Sequence, residues 1–122
     1  MGTIKCNTIE EALAIFEKSA AKHGEASFEG QARIANYNYD RMAKVVSFLK
    51  SQNSLAALSI FYSHPNIAVR SWAAAYLLPV YEKKSIKILK EIVKLHVFGS
   101  LDAEMTIKEW KNGNLKNFYT VQ

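Results

Sequence analysis

His64-Pro65-Asn66-Ile67-Ala68-Val69-Arg70-Ser71-Trp72-Ala73-Ala74-Ala75-Tyr76-Leu77-Leu78 is the stretch whose reading decides the fold. Pro65 has no N–H to donate and restrains the residue before it, so a helix arriving from the N-terminal side stops at His64. Asn66 then offers a side-chain oxygen to the free backbone N–H groups of a new helix. Val69, Trp72, Ala73, Tyr76 and Leu77 recur at helical spacing, which predicts a helix ending near Pro79 with one apolar stripe. The Ala73-Ala74-Ala75 run lets another helix approach closely.

The same punctuation organises the rest of the chain. Thr8 and Glu11 are spaced as a capping box. Ile9, Leu13, Phe16 and Ala20 follow at helical spacing, and Gly24 has the freedom a left-handed C-terminal cap prefers, so a first helix is predicted over about 9 to 22. A longer second helix runs from about Phe28 to Lys50 on a stripe of Ile34, Tyr37, Met42, Val45, Val46 and Leu49, ending at Ser51 to Asn53. Leu55, Leu58, Ile60, Phe61 and Tyr62 read as a short third helix. A fifth is predicted over about 82 to 97 and a sixth from near Asp102 to Asn112, closed by Gly113, with residues 114 to 122 as a tail. No stretch alternates strictly between apolar and polar residues, so the expected class is all-α, about six helices in one domain over residues 1 to 122.

Composition narrows the function classes. Apolar residues make up 49% of the 122, with five Gly and two Pro, which fits an ordinary globular helical chain and excludes a low-complexity one. The single Cys6 cannot form an intramolecular disulfide, so a cytoplasmic location is expected. Met1 to Cys6 carries no apolar leader core, and the uncharged stretch Ser71–Tyr81 falls far short of the ~20 apolar residues of a membrane span. No membrane partner is expected. The net charge of +5 is concentrated in residues 62 to 122, where nine Lys or Arg face five acids. Such a balance favours acidic partners without selecting among them.

An internal period is also visible. Shifting by 34 residues aligns Val69, Trp72, Ala73 and Tyr76 with Ala103, Thr106, Ile107 and Trp110, as stacked helix pairs would. The run from His64 to Leu78 resembles the inner helix of a HEAT repeat, with a short polar loop before Val-Arg and then alanines. Asp102-Ala103-Glu104-Met105-Thr106-Ile107-Lys108-Glu109-Trp110 follows at the spacing of the family DUF2019, and Asn36 and Asp40 fit that family's pattern upstream. The chain thus resembles DUF2019, which implies HEAT-like stacked antiparallel helix pairs, an α-α superhelix, and implies no activity. Asn66 is a neutral amide where HEAT repeats commonly carry an Asp that pairs with the following Arg.

Signatures of chemistry are missing. His23, His64 and His96 lie far apart in sequence with no Cys pair or HExxH spacing, so no metal site is expected. The pairs Glu25 with Glu29 and Glu104 with Glu109 read as solvated faces or caps, because acid–base work needs a pocket that shifts their pKa values. Cys6 has no nucleophile signature, and no phosphate-binding glycine loop, dinucleotide fingerprint or nucleophile elbow occurs. No cofactor is implied. The chain reads as a non-catalytic module.

Two surfaces remain as candidates for binding. Arg70 and Glu104, each beside an apolar stripe at the start of a helix, are candidates to pair with one another, and with Asn36, Asp40, Trp72 and Trp110 they make up a candidate interaction surface. Trp72, Tyr76 and Trp110 read more simply as packing residues than as an exposed platform. Lys83, Lys87, Lys90 and Lys94 fall at i, i+4, i+7 and i+11, a candidate basic patch packed into a stripe about 60° wide opposite Ile86, Leu89, Ile92 and Val93. Such a row reads first as a solvated outer face and only second as a binding surface. The reading taken here is a protein-interaction or adaptor module, with nucleic-acid binding through the basic second half as the alternative and an enzyme with a hidden pocket as the third.

Overall fold

The computed structural model describes residues 6 to 120; Met1–Lys5, read above for a leader, and Val121–Gln122, at the end of the expected tail, lie outside the described residues. Six α-helices are formed: α1 (Ile9–Phe28), α2 (Ala32–Ser51), α3 (Ile67–Tyr76), α4 (Glu82–Leu95), α5 (Ser100–Lys111) and α6 (Lys116–Thr120), with a 3-10 segment at Leu55–Ser63 and no strand among the described residues. The expected all-α class stands. The chain divides into two compact units, Met1–Leu58 and Ser59–Gln122.

In the first unit α1 packs along α2. The capping box forms: Thr8 Oγ1 accepts from the Glu11 N–H at 3.1 Å, and Glu11 Oε1 accepts from the N–H groups of Thr8 at 3.2 Å and Asn7 at 2.8 Å. The far end differs from expectation, because α1 runs through Gly24 to Phe28. A glycine inside a helix costs only about 1 kcal/mol relative to Ala, and burying Ala26 on the same face as Ala12, Phe16 and Ala20 carries the helix onward. The left-handed cap falls instead at Gly30, φ 73°, where Gly30 donates to Ser27 O at 3.2 Å and Gln31 to Ala26 O at 2.8 Å. Consequently α2 begins at Ala32 rather than Phe28.

The inner stripe of α2 is Ala35, Asn38, Met42, Val45, Val46 and Leu49. Ile34 and Tyr37, expected inside, are 46% and 37% exposed. At 100° per residue the later apolar positions centre on a line passing through Ala35 and Asn38, so a small and a polar residue take the first inward places. Asn38 is accommodated because its Nδ2 donates to Ile34 O at 3.0 Å.

The second unit is built around α3. Asn66 caps it as expected, with Oδ1 accepting from the Val69 N–H at 3.1 Å. Val69, Ala73, Ala74, Ala75 and Tyr76 are all buried, α3 packs on α4, and α4 packs on α5. The expected third helix is a 3-10 segment, whose Tyr62 hydroxyl meets the buried Ser85 hydroxyl at 2.6 Å. Between α4 and α5, His96 takes a left-handed φ of 53°, and Ser100 Oγ, donating to Ile92 O at 2.7 Å, accepts from the Val97 N–H at 3.0 Å. Of the four pairs aligned by the 34-residue shift, Val69 and Ala103 are both buried, as are Ala73 and Ile107, and Trp72 and Thr106 are both half-buried, while Tyr76 is buried and Trp110 half-buried. Because Ala73 is fully buried, Ala73→Leu is expected to destabilise by about 1–3 kcal/mol through overpacking, read as a lower urea midpoint at unchanged slope.

The expectation of a simple tail over residues 114 to 122 is corrected by α6. Phe118 stacks on Tyr76 with ring centroids 5.0 Å apart, and the Tyr119 hydroxyl donates to Ala75 O at 2.5 Å. Five residues do not sustain a helical pattern, so periodicity gives no signal; two adjacent aromatic side chains supply the anchor.

Candidate functional site

Helix α6 completes an aromatic cluster that also takes in Trp72, Tyr76 and Trp110. Trp72 lies 5.9 Å from Tyr76, Trp110 meets Tyr119 edge-on at 5.7 Å, and Phe118 meets Tyr119 edge-on at 4.9 Å. Trp110 Nε1 donates to Glu82 Oε2 at 2.8 Å, tying the end of α5 to the start of α4. Tyr76 is buried, and Trp72 and Trp110 are half-buried, so these rings act first as packing residues. The sequence marks Trp72, Tyr76 and Trp110 as packing residues, whereas Phe118, Tyr119 and Glu82 join them only through the fold.

Burial pushes the Tyr119 phenol well above its ordinary value, and burial likewise raises Tyr62 despite its bond to Ser85. A folded-state pKa raised above the unfolded value of about 10 means stability present below that pH and lost as pH climbs above it. The melting temperature is therefore expected to fall steeply on the alkaline side of pH ~10, and less steeply in Tyr119→Phe.

The pairing of Arg70 with Glu104 is not formed: among the described residues no ion pair joins them. Glu104 is exposed on α5, while Arg70 is half-buried on α3, its Nε buried without a hydrogen bond. Asn66 cannot substitute, since its neutral amide is committed to the cap of α3. Asn36 and Asp40 stand one turn apart on the exposed side of α2. Arg41, next to Asp40, lies 5.6 Å over the Tyr37 ring and donates to its hydroxyl at 3.3 Å.

Among the described residues no three His, Cys, Asp or Glu side chains converge to hold a metal ion. His64 Nδ1 accepts from the Asn66 N–H at 2.9 Å, a loop role, and Glu109 accepts from Asn114 Nδ2 at 3.3 Å. The thiol of Cys6 is pushed up by burial and by the charge of Glu11, which lowers its thiolate fraction. No described helix is long and apolar enough to cross a membrane.

What the structure leaves outside is more informative. Lys83, Lys87, Lys90 and Lys94 are all exposed on α4, and the opposing Leu89 and Ile92 are fully buried. From the end of α4 through the turn into α5, Leu95 is 50%, Val97 46%, Phe98 54%, Leu101 70% and Met105 47% exposed. Leu101 and Met105 sit one turn apart on α5, roughly opposite its buried Ala103 and Ile107. The spacing alone puts the two pairs on opposite sides of α5; packing decides which pair faces inward.

The comparisons agree with this all-helical architecture. No curated protein matches the chain. A solved structure, that of the protein RPA1889 from Rhodopseudomonas palustris CGA009, superposes with a TM-score of 0.85 at 26% identity, covering 93% of this chain and 98% of the other. The model of a domain of unknown function, DUF2019, matches residues 10–110. From the first turn of α1 to the half-buried Trp110 of α5, the match is continuous, and the chain belongs to the DUF2019 family.

Proposed function

We propose that this chain is a non-catalytic, HEAT-like cytoplasmic module that binds another protein, using the turn between α4 and α5. One observation carries the reading: five large apolar side chains, Leu95, Val97, Phe98, Leu101 and Met105, are exposed within a single short stretch of chain. Scattered apolar residues are normal on a surface, whereas a local group of this kind marks an interaction site. The raised thiol of Cys6, with its lowered thiolate fraction, supports a binding role over nucleophilic catalysis at that residue.

The test is quantitative capture from the source organism, comparing the intact chain with Leu101→Asp/Met105→Asp. Both positions are exposed, so the variant is expected to keep its helical circular dichroism and melting temperature. Proteins recovered by the parent are expected to fall ~10-fold or more with the variant, as for removal of a central contact. Equal recovery by both chains sinks the proposal. For the nucleic-acid alternative, oligonucleotide affinity at ~150 mM salt is expected to be no tighter than the non-specific range of ~10⁻⁴ to 10⁻⁶ M.

A further inference from the structure

Gly99, between α4 and α5, comes up against the first turn of α3. A Cβ built on Gly99 would stand 3.8 Å from Ile67 Cγ2, so the turn that carries the exposed Phe98 and Leu101 lies against α3 at Ile67. Arg70 follows Ile67 by three residues and lies 60° round the same helix, which puts their Cβ atoms about 5–6 Å apart. Helical side chains lean towards the N-terminus, so that of Arg70 lies back over the turn that begins at Ile67. The Arg70 Cβ is therefore within about 11 Å of where a Gly99 Cβ would stand, close enough for one partner segment to touch both.

Arg70 is half-buried, its Nε is buried without a hydrogen bond, and among the described residues no carboxylate pairs with it. A partly buried guanidinium without a counter-ion is costly, because burial disfavours charge. Its position adds to the cost: Arg70 stands in the first turn of α3, where the helix dipole disfavours a cation and no acid of that turn offsets it. The charge destabilises the free chain and becomes favourable only against an incoming anion.

Resting on the protein-binding reading above, we infer that Arg70 and the turn at Phe98–Leu101 together receive a segment of the partner protein in which one Asp or Glu stands among apolar side chains. The carboxylate accepts from the guanidinium, and the apolar side chains on either side of it cover Phe98 and Leu101. Burial of apolar surface at the turn supplies most of the affinity, and the guanidinium fixes which segment is accepted.

Other carriers of an anion fit less well. Small ligands lie in concave sites that bury most of their surface, whereas Phe98 and Leu101 are each more than half exposed. A nucleic-acid backbone or an anionic bilayer is held by several cations, and Arg70 is the single Lys or Arg in residues 63–70 and 95–101. One guanidinium matches one carboxylate.

The experiment measures binding of the full chain to an array of peptides of about 12 residues, with varied apolar side chains on both sides of one central Glu, each peptide repeated with Gln in its place. A single-stranded oligonucleotide, sodium oleate and phosphatidylserine–phosphatidylcholine vesicles are the controls. The tightest Glu peptide is expected to bind at least ~10-fold more tightly than its Gln twin, as for loss of a charge-assisted pair. Arg70→Met is expected to bind both twins equally. Its melting temperature is expected to equal or exceed the parent's, because an apolar chain replaces an unpaired, partly buried charge. Arg70→Lys keeps the charge without the fork and is expected to show an intermediate preference for Glu. Phe98→Ser/Leu101→Ser is expected to weaken both twins ~10-fold and to keep that preference.

Binding of no peptide, equal affinity for the twins, a Glu preference that survives in Arg70→Met, or tighter binding to any control than to the Glu peptide each overturns the inference. A lower melting temperature for Arg70→Met assigns the residue to the fold and overturns it as well. Peptides that depend on Phe98 and Leu101 but are indifferent to Arg70 overturn it while leaving the protein-binding reading standing. Capture from the source organism that is insensitive to Leu101→Asp/Met105→Asp overturns both.

Discussion

Replacing Phe118 and Tyr119 together with alanine is expected to destabilise the protein by about 3–5 kcal/mol and lower its melting temperature by roughly 10–20 °C. The double change removes the Phe118 ring from its 5.0 Å stack on Tyr76, the Tyr119 ring from the edge of Trp110, and the 2.5 Å hydrogen bond to Ala75 O. Aromatic pairs are worth about 0.5–1.5 kcal/mol beyond their buried area, and the area term for two half-buried rings is larger. Tyr119→Phe isolates the hydroxyl and is expected to cost about 1 kcal/mol. Thermal and urea unfolding check both; a double variant as stable as the parent shows that α6 contributes nothing to the fold.

Phe16→Ala is expected to cost about 3–5 kcal/mol, a large share of the roughly 5–15 kcal/mol that holds a domain of this size folded. Phe16 has no exposed surface and is the largest fully buried side chain of the first unit. Met42, Val45, Val46 and Leu49 on α2 are also withdrawn from solvent, so truncating the ring leaves a cavity that neighbouring side chains fill only in part. Phe16→Leu retains most of the volume and is expected to cost about half as much. Urea titrations of the two variants give the comparison, and equal stability of Phe16→Ala and parent contradicts the packing described for α1 and α2.

Local chemistry accounts for what was legible in the chain. Thr8 with Glu11, Asn66 before Val69, and Gly113 after α5 act through backbone groups a few residues away, so their roles can be read without knowing what packs where. The lysine row is exposed on α4 for the same reason: a 3.6-residue period puts it opposite Leu89 and Ile92 on the helix itself. Family membership followed from the run at His64–Leu78 and the segment at Asp102–Trp110.

Tertiary packing decided the rest. Gly24 has the sequence of a helix end, but burial of Ala26 against the core outweighs a single glycine and carries α1 past it to Phe28. Ile34 and Tyr37 have the hydropathy of core residues, yet Ala35 and Asn38 lie nearer the line set by Met42 and Leu49. Arg70 and Glu104 have opposite charges, but an ion pair depends on where two helices place their side chains. Phe118 and Tyr119 gain their role from Tyr76, Ala75 and Trp110, and Leu101 becomes a surface residue only once Ala103 and Ile107 have taken the inward side of α5. A sequence determines which groups attract; which of them meet depends on distances that exist only after the helices have packed.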